Sequence, residues 1–146
     1  MRNPDEYWEV LLVEDNPADV TLFQMALAAE KETKIRVWHA NTGRRALDFL
    51  HRVGEHAQVP RPHLIFLDLN LPVMDGREVL ETIKADSDLR RIPIIVLSTS
   101  NTKADVSGSY HRGANSYIVK PADVDKLFSM MNSCCDYWFG TVVLDA

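Results

Sequence analysis

The sequence has few cysteines, no long apolar run and no excess of positive charge, and each absence excludes a class of protein. Cys134 and Cys135 are adjacent, a spacing unsuited to a structural disulfide or, without a CxxC partner, to a zinc site. We expect a reduced, cytoplasmic protein. No window approaches the roughly 18 apolar residues of a membrane-spanning helix. The polar start, residues 1–9, lacks the basic and apolar regions of a signal peptide.

Positive charge is scarce as well. The 146 residues include 16 Lys and Arg against 21 Asp and Glu, a net charge of −5. A DNA-binding protein needs a basic surface to neutralise phosphates, so this balance argues against nucleic acid as a partner. The length is typical of one domain. A composition with 46% hydrophobic and 25% charged residues is typical of a globular fold.

Five apolar runs, separated by segments of helical pattern, predict the fold. They lie at 10–13, 35–38, 64–67, 94–97 and 117–119. Most of them do not alternate with polar residues, which indicates strands buried on both faces, as in a parallel sheet. Asn16-Pro17 is typical of a helix start, and the last helix is predicted from about Asp123 to Trp138. We predict an α/β fold of the (βα)5 type, a doubly wound parallel five-stranded sheet in the order 2-1-3-4-5.

Polar residues follow four of the predicted strands. In such a sheet, ligands bind at the carboxyl ends of the strands, where the strand order reverses. The residues at these ends include Glu14, Asp15, Asp68, Ser98 and Lys120. Three carboxylates in one crevice repel each other unless cations offset them. Lys120 supplies one positive charge, and a divalent ion that prefers hard oxygen ligands, Mg²⁺ or Mn²⁺, would supply the other.

Asp68 is the candidate nucleophile of this cluster. A carboxylate can attack phosphorus and form an aspartyl phosphate. The metal ion and Lys120 would neutralise the charge that develops on the phosphoryl oxygens, and the Ser98 hydroxyl would donate a hydrogen bond to one of them.

The set Glu14-Asp15, Asp68, Ser98 and Lys120-Pro121 resembles the receiver domain of two-component response regulators. The segments 68–76 (DLNLPVMDG) and 113–117 (GANSY) resemble the same family, and the likeness covers residues 9–137. The resemblance implies a flavodoxin-like receiver fold over residues 8–137, with a sensor histidine kinase as the partner. It also implies a switch rather than a turnover enzyme, limited to metal-dependent self-phosphorylation and autodephosphorylation on one aspartate.

The resemblance implies roles for the acidic residues. Asp68 would be the phosphoacceptor and would also bind the metal ion. Asp15 would bind the metal directly, Glu14 directly or through water, and Asn70 through its backbone carbonyl.

The resemblance implies further roles for residues of the last two strands. Lys120 would contact the phosphoryl group, aimed by a cis bond to Pro121. Ser98 would be the switch hydroxyl, and Tyr117 the aromatic residue whose rotamer follows that hydroxyl.

A narrower resemblance is to the single-domain regulators paired with cyanobacterial and bacterial phytochromes. It rests on segments 68–72 (DLNLP), 76–80 (GREVL), 91–93 (RIP), 97–100 (LSTS) and 137–141 (YWFGT). It implies a phytochrome-type kinase as the partner. Residues 138–146 would then be a short apolar tail with no output domain, and the response would pass through surface contacts.

The predicted last helix is more apolar than packing on one sheet requires. Its first stripe, expected to face the sheet, contains Val124, Leu127, Phe128, Met131, Cys135 and Trp138, and a second contains Met130, Cys134 and Tyr137. Residues 142–144 continue the apolar character. Two interpretations stay open: the tail folds back over its own core, or the helix and the tail form a homodimer.

Three other functions compete with a phospho-accepting switch. An aspartate-nucleophile phosphatase of the haloacid dehalogenase type needs Asp two residues after the nucleophile, where this chain has Asn70. A flavodoxin relative needs an uncharged phosphate loop after the first strand, where this chain has Glu14-Asp15. A phosphorylation-independent interaction module would have no need of the acidic cluster or Lys120.

Overall fold

The computed structural model describes residues 3 and 5–145, and in this part of the chain five strands alternate with five α-helices. The strands are β1 (Trp8–Val13), β2 (Ile35–Ala40), β3 (Leu64–Asp68), β4 (Ile94–Ser98) and β5 (Ser116–Val119). The helices are α1 (Pro17–Ala28), α2 (Gly43–Leu50), α3 (Gly76–Ala85), α4 (Lys103–His111) and α5 (Val124–Cys135). None of the helices in these residues is long and apolar enough to cross a bilayer.

The sheet confirms the predicted topology. All five strands are parallel, in the order β2-β1-β3-β4-β5. Val10 of β1 pairs with Val37 of β2 and with Leu64 of β3, and Asp68 pairs with Leu97 of β4. Strands β3 and β4 are buried along their whole length, whereas the edge strands β2 and β5 are partly exposed. Burial on both faces explains why the central apolar runs are continuous.

Two hydrophobic cores hold the sheet, one on each face. On one face α1 and α5 pack around Phe23, Phe66 and Met131. On the other face α2 and α3 contribute Phe49 and Ile83 to the second core. Close packing on both sides leaves the central strands little freedom, so the residues at their carboxyl ends have fixed positions.

Side-chain caps fix where the helices begin. Asn16 Oδ1 accepts hydrogen bonds from the N–H groups of Ala18 and Asp19 at the start of α1. Asp75 and Asp123 cap α3 and α5 through backbone N–H groups of their first turns. These caps satisfy N–H groups that the helix itself leaves without acceptors.

The end of the chain folds back on the molecule. After α5 the chain continues as a π-helical turn, Asp136–Thr141. Phe139 in this turn stacks on Trp8, with 4.9 Å between the ring centroids. Asp145 forms an ion pair with Arg91 at 3.3 Å. Phe139 and Asp145 therefore pack against their own chain, as the first of the two interpretations expects, whereas Val143, in the apolar segment 142–144, is fully exposed.

The apolar stripes of α5 are partly as predicted. Most of the first stripe is buried or packs against the core, namely Leu127, Phe128, Met131, Cys135 and Trp138. The expectation for Val124 was wrong, because this side chain is 47% exposed. Val124 is the first residue of α5, and burial begins one turn later, at Leu127.

Val73, in the loop between β3 and α3, has a strained backbone. Its φ of +64° lies in the left-handed region, which a β-branched residue rarely adopts. The side chain is fully exposed, so burial offers no compensation for the strain.

We expect the substitution Val73→Gly to raise the free energy of unfolding by about 1 kcal/mol, because glycine has no Cβ to clash at positive φ. Urea denaturation measures the change. Val143→Gly is the matched control, since Val143 is also fully exposed and is not among the residues with positive φ. It should change stability by less than about 0.5 kcal/mol. A V73G midpoint equal to or below that of the unsubstituted chain would contradict the inferred strain.

Candidate functional site

The predicted acidic residues converge at the carboxyl ends of β1 and β3. One oxygen from each of Glu14, Asp15 and Asp68 lies within 4.8 Å of the other two. Glu14 and Asp68 are buried, with exposed fractions of 1% and 5%, while Asp15 is exposed. Mg²⁺ and Mn²⁺ prefer hard oxygen ligands, and Mg²⁺ usually keeps several waters. A set of carboxylate donors with one open to solvent therefore fits such an ion.

Lys120 follows β5 and its ammonium lies among the carboxylates. Lys120 Nζ is 2.9 Å from Glu14 Oε2 and 3.3 Å from Asp68 Oδ2. The Lys120 N–H donates to the Ser98 carbonyl at 2.8 Å, which ties the backbone of the lysine to the end of β4. The side chain is only 10% exposed. The predicted association of this cation with the acidic cluster is present in the structure.

Asp19 is a member of the cluster that sequence reasoning missed. Its Oδ2 atom lies 3.1 Å from Lys120 Nζ. An acidic residue in the first turn of a helix is common because it interacts favourably with the helix dipole. The signal that could have found Asp19 is the helix start at Asn16, which places residue 19 in the first turn of the helix that follows β1.

The loop after β3 closes tightly around Asp68. Asp68 Oδ1 accepts a hydrogen bond from the Asn70 N–H at 3.0 Å. The Gly76 N–H donates to the Leu69 carbonyl at 2.9 Å. A Cβ on Gly76 would lie 2.1 Å from the Asp68 carbonyl oxygen, so only glycine allows this approach of α3 to the strand. These contacts orient the Asp68 carboxylate, and metal binding by the Asn70 carbonyl stays a prediction.

Ser98 and Tyr117 are joined through the loop after β4. Ser98 is buried, and its Oγ accepts a hydrogen bond from the Ser100 N–H at 3.1 Å. The Tyr117 hydroxyl donates to the Ser100 carbonyl at 2.8 Å. Both predicted switch residues therefore contact Ser100, and their response to phosphorylation stays a prediction.

The predicted cis bond between Lys120 and Pro121 was wrong. No peptide bond in the described part of the chain is cis, so this bond is trans. For a proline the trans form is favoured by about 0.5–1 kcal/mol. With the trans bond, Lys120 Nζ contacts Glu14 and Asp68.

The family described as "Response regulator receiver domain" matches residues 10–132. The chain belongs to this family. Response regulator Rcp1 of Synechocystis sp. is 43% identical over 137 residues, which cover 94% of this chain and 92% of Rcp1. The probable methanogenesis regulatory protein FilR2 of Methanothrix harundinacea is 38% identical over 131 residues, 90% of this chain and 83% of FilR2.

Solved structures of receiver domains have the same fold. The phosphorylated cyanobacterial phytochrome response regulator RcpA matches with a TM-score of 0.91 and 42% identity, over 97% of this chain and all of that chain. The Mn²⁺-bound form of Rcp1 matches with a TM-score of 0.88 and 43% identity, over 94% of this chain and 99% of that chain. The acidic cluster of this receiver domain fits a divalent ion of that kind.

A second polar network connects α3 and α4 of the receiver domain. Arg77 pairs with Asp105 at 2.8 Å and with Asp75 at 3.2 Å. Asp105 also accepts a hydrogen bond from the Ser100 hydroxyl. The hydrogen bond from Ser100 and the Arg77 guanidinium lower the pKa of Asp105. The network therefore holds the loop that follows Ser98 in place. No pattern in the sequence predicted this network.

Burial shifts the pKa values of the ionisable groups in the receiver site. It raises the pKa of Glu14 to about 7; contact with Asp68 acts in the same direction, and the Lys120 hydrogen bond opposes both. Burial also acts against the charge of Lys120. The hydrogen bond to Glu14 and the charge of Asp68 outweigh it, so the pKa of Lys120 is above its ordinary value. At neutral pH Lys120 is charged, and burial disfavours the charged form of Glu14 when no metal ion is bound.

We expect Glu14 to make the stability of the metal-free protein fall as pH rises from about 5 to about 8. Its folded-state pKa of about 7 lies above the ordinary value of 4.5. The folded protein therefore binds the proton more tightly, and this stabilisation is lost as pH passes through the folded-state pKa. Glu14→Gln should remove about 1–3 kcal/mol of the pH dependence.

Urea unfolding in the presence of a chelator measures the free energy of unfolding of Glu14→Gln and of the unsubstituted chain at both ends of this pH range. Titrating groups that do not interact with Glu14 are common to both proteins, and their contributions cancel. Adding Mg²⁺ should stabilise the unsubstituted chain more at the alkaline end, because the ion binds the deprotonated carboxylate. Equal pH dependence of the two proteins would refute the role given to Glu14.

Proposed function

We propose that this receiver domain is a response regulator that accepts a phosphoryl group on Asp68 from a sensor histidine kinase. The observation that carries the proposal is the contact of Lys120 with both Glu14 and Asp68, within 3.3 Å, at the carboxyl ends of the strands. Residues 8–137 form the receiver domain in this proposal, and residues 138–146 its C-terminal tail.

The transfer step uses the Asp68 carboxylate as the nucleophile. One of its oxygens attacks the phosphorus of a phosphohistidine, and the P–N bond breaks as the P–O bond forms. A bound Mg²⁺ or Mn²⁺, held by Glu14, Asp15, Asp68 and the Asn70 carbonyl, would neutralise charge on the phosphoryl oxygens.

Lys120 and Ser98 hold the phosphoryl group in this proposal. The Lys120 ammonium already contacts Asp68 Oδ2 and supplies a positive charge beside the new group. The Ser98 hydroxyl donates a hydrogen bond to a phosphoryl oxygen. Because Ser98 and Tyr117 both bond to Ser100, movement of Ser98 toward the phosphoryl group would carry the Ser100 loop and change the position of Tyr117.

The proposed kinase is of the phytochrome type. Support comes from the likeness to RcpA, whose structure is described as that of a cyanobacterial phytochrome response regulator, with 42% identity over 97% of this chain. The protein itself catalyses only its own phosphorylation and dephosphorylation. A phosphatase of the haloacid dehalogenase type needs an aspartic acid two residues after the nucleophile, where this chain has Asn70.

Incubation with acetyl phosphate and Mg²⁺, followed by intact mass measurement, tests the proposal. We expect a base-labile increase by the mass of one phosphoryl group, and its complete loss in Asp68→Asn, which keeps the size of the side chain but removes the nucleophile. Asp125→Asn is the matched control, since Asp125 is an exposed aspartate of α5 and should still be labelled. Labelling of D68N to the same extent as the unsubstituted chain would refute the role of Asp68.

We also propose a homodimer through α5 and the C-terminal tail. The edge strand β5 and α5 border a groove of about 590 Å³. Its lining is apolar or neutral, with Ile118, Met130, Cys134, Tyr137 and Trp138 beside four Ser and Asn residues. A second copy of the same surface meets it without repulsion between like charges, which suits a twofold interface. Burial raises the pKa of Cys134 to about 11, so the thiol stays protonated at neutral pH.

Light scattering of the unsubstituted chain and of Tyr137→Asp tests the dimer. Tyr137 is 51% exposed, and a charge there should turn a dimer into a monomer, because two carboxylates would be buried at the interface. Met25→Asp, at a residue of α1 with a similar exposure of 54%, should leave the dimer intact. Val143→Asp tests the tail separately. A monomeric unsubstituted chain, or a dimeric Y137D, would refute this interface.

A further inference from the structure

Asp19 shares the Lys120 ammonium with the carboxylates already assigned to the site. The 3.1 Å between Asp19 Oδ2 and Lys120 Nζ is shorter than the 3.3 Å between Asp68 Oδ2 and the same nitrogen. The Asn16 cap accepts a hydrogen bond from the Asp19 N–H, which sets the position of residue 19 relative to the end of β1. The cap at the start of α1 therefore helps to hold Asp19 in contact with Lys120.

The ammonium has three hydrogens, and three carboxylates take them. Glu14, Asp19 and Asp68 each accept a hydrogen bond from Lys120 Nζ. Glu14 and Asp68 are buried, and the Lys120 side chain is 10% exposed. The Asp19 side chain is 34% exposed, so of the three acceptors it is the one open to solvent.

A phosphoryl group on Asp68 would add further acceptors for the hydrogens of this ammonium. It has several anionic oxygens, and each accepts a hydrogen bond more strongly than a neutral group does. The Asp19 carboxylate lies close to Lys120 Nζ, the nitrogen that would donate hydrogen bonds to those oxygens. Its negative charge attracts a metal cation to the site and repels the anionic phosphoryl group.

We propose that Asp19 is a positioning residue that holds the Lys120 ammonium in the unphosphorylated protein and competes with the phosphoryl group for it. Asp19 thereby favours the unphosphorylated state of the switch. This role rests on the proposed function, in which Asp68 is the acceptor. It gives Asp19 opposite effects on the two ligands of the site: it strengthens metal binding and weakens binding of the phosphoryl group.

Asp19→Asn tests the role, because it keeps the size of the side chain and removes its charge. Calorimetry would measure the dissociation constant of Mg²⁺ alone, and that of beryllofluoride, an anionic phosphoryl analogue, at saturating Mg²⁺. We expect Mg²⁺ to bind D19N about two- to fivefold more weakly and beryllofluoride to bind it about two- to fivefold more tightly, as for a partly exposed ion pair. General damage to the site would weaken both.

Three variants complete the design. Asp19→Glu restores the charge and should return both constants toward those of the unsubstituted chain. Asp125→Asn removes an exposed aspartate from the first turn of α5 and should change neither constant. In a Lys120→Gln background, D19N should tighten beryllofluoride binding less than it does in the unsubstituted chain, because the part of its effect that passes through the ammonium is lost.

The outcomes separate the two proposals. If the unsubstituted chain binds no beryllofluoride, or Asp68→Asn binds it equally well, the proposed function fails, and the role of Asp19 fails with it. If the unsubstituted chain binds it at Asp68 while D19N leaves both constants unchanged, or weakens both, only the role of Asp19 is refuted.

Discussion

The Lys120 ammonium binds carboxylates from three separate elements of the fold, and the candidate site depends on these contacts. Glu14 follows β1, Asp19 belongs to α1 and Asp68 ends β3. Carboxylates this close repel each other, and burial removes the solvent that would screen the repulsion. The cation that stabilises the folded protein without a metal is therefore the same cation that a phosphoryl group on Asp68 would use.

The rest of the fold positions these charged groups and restricts their movement. Cores on both faces of the sheet fix the ends of the central strands, and the close approach of Gly76 to β3 fixes the loop around Asp68. From Ser98, hydrogen bonds continue through Ser100 to Tyr117. A change in the bonding of the buried Ser98 hydroxyl thus has a continuous physical route to the edge strand β5.

Much of the fold and the centre of the site could be predicted because the relevant signals are local. Continuous apolar runs mark strands buried on both faces, and a parallel sheet has to bring their carboxyl ends to one edge. Asp68 and Lys120 directly follow such runs, so their meeting is a consequence of the topology. The first turn of α1 carries an equally local signal at Asn16, but Asp19 was missed because acidic residues are common in that turn for other reasons.

Local residue patterns were enough to predict the strand order, the acidic cluster and the cation beside it, since each depends on which residues form or follow the apolar runs. Three features became known only from the three-dimensional structure: the Lys120–Pro121 bond is trans, Phe139 packs on Trp8, and Arg77 pairs with Asp105. These features join segments far apart in the chain, or depend on a small energy difference between two backbone isomers. Neither is encoded in local residue patterns, because both are settled by the packing of the whole molecule.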